Sequence, residues 1–190
     1  MRHGNLFVIS GPSGAGKGTL VARLLRAVPD AWVSVSVTTR VPRAGEVDGV
    51  HYHFATDAEF QHLVDEDGLL EWATYAGNRY GTPRAEVEER MAQGDQVVLE
   101  IDVQGAFQVR EKMPQAHLVF VEPPSMEVLE ARLRGRGTES DEVIASRLRA
   151  AGVELARKME YDVRLVNDDL DEAADELVRF VNEQAEGSRG

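Results

Sequence analysis

The amino-acid sequence predicts an α/β fold, a mainly parallel sheet flanked by helices, on three observations. Short apolar, β-rich runs alternate with segments of helical periodicity along most of the chain. The first run, Leu6-Phe7-Val8-Ile9, passes directly into a glycine-rich turn that precedes a helical pattern. Between about residues 36 and 90 this rhythm is lost, and short extended pieces with hairpin-like turns replace it, which reads as an inserted lobe.

Each element has a local reason. Leu6 to Ser10 is a buried strand. Lys17 to Val28 is a helix stopped by Pro29. Trp32 to Val37 is expected as one strand, ending in Thr38-Thr39-Arg40. A charged, glycine-containing loop runs from Val41 to Gly49, and His51 to Phe54 is extended. Thr56-x-x-Glu59 is a capping box that opens a helix to about Asp67. Leu69 to Tyr75 is extended and Ala76-Gly77-Asn78-Arg79 is a turn. Thr82-Pro83 is expected to cap the next helix, with proline at its first position and Gly94 at its end. Gln96 to Ile101 is an apolar strand with Asp102 at its C-terminal end, followed by a short helix from Gly105 to Met113. Ala116 to Val121 is a strand halted by Pro123-Pro124, and Ser125 caps a helix to about Arg134. After Gly135-Arg136-Gly137 a long helix is expected from Ser140 to about Met159. Val163 to Val166 is the last strand and Asp171 to Gln184 the last helix, with a frayed tail from Glu186 to Gly190.

At 190 residues the chain is expected to form one domain. Its core would be about 1–35 and 91–190, its inserted lobe about 36–90, and a glycine-bounded, arginine-rich lid about 135–150. The sequence has no cysteine and no apolar run near the ~18 residues that span a bilayer, so a cytoplasmic protein without a membrane partner is the expectation. The net charge of −12 speaks against nucleic acid as a partner, which needs a broad positive surface. The cations are concentrated instead: Arg40 with Arg43, then Arg132, Arg134, Arg136, Arg147 and Arg149.

The turn after the first strand reads Gly11-Pro12-Ser13-Gly14-Ala15-Gly16-Lys17, a G-x-x-x-x-G-K phosphate-binding loop between strand and helix. Its glycines let successive N–H groups point at a phosphate, and Lys17 reaches the β- and γ-phosphates. Position 18 is Gly18, where the general pattern has a Ser or Thr that binds magnesium; Thr19 follows one residue late. G-K-G-T points to small-molecule kinases. None of the three lysines follows an asparagine, so the Asn-Lys-x-Asp that reads guanine in GTPases is missing. A kinase must hold a second substrate, and the inserted lobe is where to look. There Arg40 and Arg43 flank a proline at a spacing suited to bidentate phosphate binding, and Tyr52 and Tyr80 can donate phenolic O–H groups to the same phosphate. Glu71 interrupts the apolar strand Leu69-Leu70-Glu71-Trp72-Ala73. A carboxylate there is costly unless used. It matches the N1–H and N2–H₂ edge of guanine and cannot match the N1 acceptor of adenine.

On these residues the sequence resembles the guanylate kinases, ATP:GMP phosphotransferases, over nearly its whole length. The matching stretches are Gly11–Leu20, Ser34–Gly49, Glu71–Gly81, Leu99–Gly105, Leu133–Thr138 and Val166–Leu170. The resemblance implies a P-loop kinase core with a GMP-binding lobe and a short helical lid, acting on ATP and GMP with Mg²⁺; a monomer and a homo-oligomer are both compatible with it. It implies that Ser36, Glu71, Thr82 and Asp102 read guanine, and that Arg40, Arg43, Tyr52 and Tyr80 hold the GMP phosphate. Gly11, Pro12, Ser13, Gly14, Ala15, Gly16, Lys17, Gly18 and Thr19 would hold the ATP phosphates, with Asn167 and Asp168 near the adenosine. Lys17, Arg40, Arg132, Arg136 and Arg147 would carry the transfer, and Thr19 and Asp102 would serve the metal through water. Two rival readings are another nucleoside monophosphate kinase, disfavoured by Glu71 and the Ser36–Arg43 segment, and a kinase-like protein-binding scaffold, disfavoured by the intact Lys17.

Overall fold

A computed structural model of the chain describes residues 2–187. The expected tail begins inside the last helix, since Glu186 and Gly187 are helical; residues 188–190 lie outside the described residues.

Five parallel strands form the main sheet in the order β2-β7-β1-β8-β9: β1 (Asn5–Ser10), β2 (Ala31–Val33), β7 (Gln96–Glu100), β8 (His117–Glu122) and β9 (Val163–Val166). All six residues of β1 are buried, as a central parallel strand with helices on both faces requires. Successive side chains alternate between the two faces. Phe7 and Ile9 pack with Leu20, Val21 and Leu24 of α1 (Lys17–Ala27) and with Leu177 and Val181 of α7 (Leu170–Gly187). Leu6 and Val8 pack on the other side with Val87 of α3 (Arg84–Gln93) and with Val103, Ala106 and Val109 of α4 (Val103–Lys112).

A second, mixed sheet has the order β4-β3-β6-β5, from β3 (Val37–Thr38), β4 (His53–Phe54), β5 (Leu69–Tyr75) and β6 (Asn78–Pro83). It has its own small core of Val37, Phe60 and Leu69, closed by α2 (Asp57–Asp65). The capping box of α2 forms as the sequence requires, with Thr56 and Glu59 satisfying each other's backbone N–H groups. Ala76 (φ 49°) and Gly77 (φ 79°) make the tight β5–β6 turn, both in the left-handed region that a two-residue hairpin demands.

Three expectations are corrected. The single strand Trp32–Val37 is two: β2 ends at Val33 in the main sheet, and β3 begins at Val37 in the second, so Ser34-Val35-Ser36 is the crossing between sheets. A run of β-propensity cannot reveal that its two ends pair in different sheets. Thr82 is not a helix cap; it lies within β6, whose last residue, Pro83, occupies the cap position before α3. The long helix ends at Ala156, as α6 (Asp141–Ala156), and a 3₁₀ turn over Lys158–Glu160 leads to β9. α6 pairs with α5 (Met126–Gly135) through Leu129, Leu133, Ile144 and Ala151, a cluster separate from both faces of the sheet.

Candidate active site

The glycine-rich turn joins β1 to α1 beside both flanking strands, β7 and β8. That is the point where the strand order reverses, the usual ligand position of open α/β sheets. Gly14 (φ 91°) and Gly16 (φ 95°) are left-handed, which closes the loop and leaves Gly16 as the N-cap of α1. Lys17 folds back over the loop, its Nζ donating to Gly11 O (2.5 Å) and Pro12 O (3.1 Å). Burial pushes its pKa down and Arg136 adds to that, while Glu100, Glu154 and Asp102 pull the other way.

A Cβ at Gly18, the departure from the general motif, would lie 3.5 Å from Glu100 Oε1, an ordinary van der Waals contact, which puts this position beside the Glu100 carboxylate. Thr19 is exposed in the first turn of α1, and Glu100 and Asp102 are exposed at the end of β7. Asp102 caps α4, accepting from Gly105 N at 2.7 Å.

Below the loop lies Asn167, which is 5% exposed. Its Nδ2 donates to Ala15 O (2.8 Å) and its own backbone O accepts from Arg132 (2.8 Å). Its amide thus faces the backbone of the phosphate loop, while Asp168 is exposed. Above the loop, Arg147 Nη1 donates to Ser13 Oγ (2.5 Å) and its other amino group pairs with Glu139. Arg136 is exposed at the C-cap of α5.

Across from the loop, Ser36, Tyr52, Glu71, Tyr80, Glu100 and Asp102 line a cleft of about 380 Å³ between the two sheets. The rings of Tyr52 and Tyr80 meet edge-on at 6.0 Å. Arg40 stacks 5.3 Å over Tyr52, and its guanidinium is tied to Glu46 (2.7 Å). Glu46 also accepts from Arg43 N, and these contacts hold its carboxyl down to about 2. The Arg43 side chain is exposed.

Glu71 is buried, at 7% exposed. Its Oε1 accepts from the buried Thr82 hydroxyl at 2.7 Å. Burial drives its pKa up to about 7; the Thr82 bond opposes the rise and Asp102 reinforces it. A β-bulge between Leu69 and Glu71 re-aims the side chains, so Leu69 enters the core of the second sheet and Leu70 that of the main sheet. The Glu71 carboxylate then meets the first turn of α4, where a Cβ on Gly105 would come within 2.9 Å of Oε2. Gln108 of α4 grips the same strand, accepting from Trp72 N and donating to Trp72 O, each at 3.1 Å. Neither Gly105 nor Gln108 is singled out by sequence; a glycine at a helix N-terminus is too common a signal. His51 and His53 diverge, one accepting from Val47 N and the other contacting Glu86.

A parallel sheet with a phosphate loop after its central strand, beside a second sheet with a cleft between them, is the fold of a P-loop kinase. The guanylate kinase family model matches residues 3–184. A guanylate kinase of Thermobifida fusca is 63% identical over 135 residues, covering 71% of this chain and 69% of its own length. One from Synechocystis is 59% identical over 138 residues, 73% of this chain and 72% of its own. The crystal structure of guanylate kinase from Anaplasma phagocytophilum superposes with a TM-score of 0.74 at 33% identity, over 97% of this chain and 88% of the other. The chain belongs to the guanylate kinase family, ATP-dependent kinases that phosphorylate GMP to GDP. Among the described residues no helix is long and apolar enough to cross a membrane.

Proposed function

We infer that this chain transfers the γ-phosphoryl group of ATP to GMP by positioning and by fixed positive charge, with no general base. The acceptor is a phosphate oxygen whose second pKa is about 6, largely ionised at pH 7. The barrier is mutual repulsion of two polyanions and the charge spread over the transferred group. Gly11 to Thr19 hold the ATP phosphates through loop N–H groups, the α1 N-terminus and Lys17. Asn167 acts on ATP through the loop backbone that it buttresses, and Asp168 lies toward the adenosine. Arg132, Arg136 and Arg147 face the transferring group. Arg40, Arg43, Tyr52 and Tyr80 bind the GMP phosphate. Arg40 exchanges its largely covered pairing with Glu46 for the phosphate to do so.

Glu71 carries the guanine specificity, supported by Ser36, Thr82 and Asp102. The observation that carries this reading is a buried carboxylate with, among the described residues, only Thr82 as its hydrogen-bond donor, opening into a cleft between the two sheets. Such a group rejects any base that leaves it unpaired.

The residues also fit Mg²⁺. Thr19, Glu100 and Asp102 offer exposed oxygen donors, too few for an all-protein cage and suited to a hydrated ion held by the nucleotides. When bound, the ion neutralises phosphate charge. Closure of residues 36–90 and of the 135–150 segment on the core excludes water, the competing acceptor. A cytoplasmic location, where both nucleotides are available, goes with this reading.

Steady-state rates with GMP, AMP, CMP and UMP at fixed ATP test it. GMP is expected to exceed the others by at least about 10³-fold in kcat/KM. Comparable rates for all four would remove Glu71 from its assigned role.

A further inference from the structure

β5 is the end strand of the second sheet and, among the described residues, pairs with a strand on one side only, β6. The N–H and C=O groups on its free side need other partners. Side chains of α4 supply them. Gln108 offers both halves of its amide to one residue: Oε1 accepts from Trp72 N and Nε2 donates to Trp72 O, each at 3.1 Å. These replace the two bonds that a neighbouring strand would exchange with Trp72. One turn further on, Lys112 Nζ donates to Leu69 O at 2.7 Å and to Asp67 Oδ1 at 2.6 Å. Gly105, Gln108 and Lys112 are spaced by three and four residues, so a single stripe of α4 follows the strand.

Between those two anchors lies the β-bulge. Leu69 and Trp72 bracket Leu70 and Glu71, where the regular ladder with β6 is interrupted. A bulge disrupts the ladder that would otherwise fix the direction of its residues. Leu70 is held by apolar contact, in the same buried cluster as Val103, Ala106 and Val109 of α4. Glu71 is held through its backbone, because the peptide that joins it to Trp72 gives its N–H to Gln108. Rotation of that peptide would swing the Glu71 side chain away from Thr82 and from the space left by Gly105. A displacement of about 1 Å at a positioned group can cost about 100-fold, so this peptide matters to the site.

We propose that Gln108, assisted by Lys112, is a positioning residue for guanine: from α4 the two bracket the bulge, fix the direction of the Glu71 carboxylate, and so set the affinity for GMP without touching it. This rests on Glu71 being the residue that reads guanine. Without Gln108 the carboxylate samples more directions, and binding of the base has to select one of them. The phosphate loop follows β1 and has no bond to β5, so ATP binding is untouched. The GMP phosphate is assigned to other residues, so turnover at saturating GMP is also spared.

The test is a double-mutant cycle, with kcat and both KM values measured for wild type, Gln108→Leu, Glu71→Ala and the double variant. Gln108→Leu is expected to raise the KM for GMP by about tenfold, with kcat and the KM for ATP within about twofold of wild type. In the Glu71→Ala background the same change should raise the KM for GMP by less than about twofold, since no carboxylate is left to aim. Equal effects in the two backgrounds would make Gln108 a structural tie and overturn the proposal, as would a parallel rise in both KM values. Lys112→Met gives an independent reading from the other side of the bulge. Its expected effect is a rise of about threefold in the KM for GMP, again only with Glu71 present, and no rise would overturn the bracketing. If Glu71→Ala leaves the KM for GMP unchanged, the reading of guanine by Glu71 fails and takes the proposal with it. If Glu71→Ala raises that KM while Gln108→Leu does not, only the present proposal fails.

Discussion

At the scale of single residues, Glu71 joins stability to recognition through one pKa. Its carboxyl is raised to about 7 by burial, from an ordinary value of 4.5. Ionising it is therefore harder in the folded chain than in the unfolded one. Below pH 4.5 the group is neutral in both states and has no effect. As pH rises toward 7 the unfolded chain loses the proton first, and the folded state is penalised by up to roughly 3 kcal/mol. In the proposed role, by contrast, guanine would be met by the ionised form. Glu71→Gln should thus be more stable than wild type at pH 8 by chemical denaturation, with the gap closing by pH 4.5. It should also raise the KM for GMP by about 100-fold, since it replaces a charged acceptor. The wild-type KM for GMP should fall between pH 6 and 8 more steeply than that of Glu71→Gln, whose profile reports only the substrate phosphate. Superimposable profiles would mean that Glu71 does not titrate against the base.

At the scale of elements, α4 and β5 must approach closely for that carboxylate to be aimed. The bulge at Leu70 turns Glu71 toward α4, and Gly105 leaves the space that it fills. Gly105→Ala is expected to displace the carboxylate rather than unfold the helix, because alanine gains about 1 kcal/mol of helix propensity. The KM for GMP should rise about tenfold while that for ATP stays within about twofold; equal increases in both would place the damage in the fold instead. Gly105 also shows what sequence could and could not provide. The phosphate loop, the arginine pairs and Glu71 were legible because each combines an unusual residue type with a fixed local spacing. The helix caps at Thr56 and Ser125 were legible for the same reason, and both form. The bulge, the crossing at Ser34-Val35-Ser36 and the bond from Thr82 to Glu71 were not, since each is decided by a strand far away in sequence. The misplaced cap at Thr82 has the same origin: its hydroxyl satisfies a buried carboxylate across the hairpin in preference to a local helix start.

At the scale of the molecule, the two proposed substrate sites lie in parts of the chain with separate hydrophobic cores. Val37, Phe60 and Leu69 stabilise the second sheet, and the α5–α6 pair has its own cluster, while the main sheet carries the phosphate loop. The cations are divided in the same way: Arg40 and Arg43 lie in the segment of the second sheet, and Lys17, Arg132, Arg136 and Arg147 on α1, α5, its C-cap and α6. On the proposed assignment, either nucleotide alone would satisfy one set. Only the two together place anionic charge where both sets are drawn inward, so closure should need both. The absence of cysteine makes this directly measurable, because introduced thiols label without background. Val50 lies on an exposed loop of the second sheet's segment and Val143 on the exposed first turn of α6. Spin labels on Val50→Cys and Val143→Cys should report one broad separation for the free protein, with little change on adding GMP or ADP singly. With GMP and ADP together the distribution should shorten and narrow, because the phosphates then bridge the two sets of cations. A distance that already shortens fully with ADP alone would instead assign the motion to α6 and the phosphate loop, and would make the GMP-binding segment a passive partner in closure.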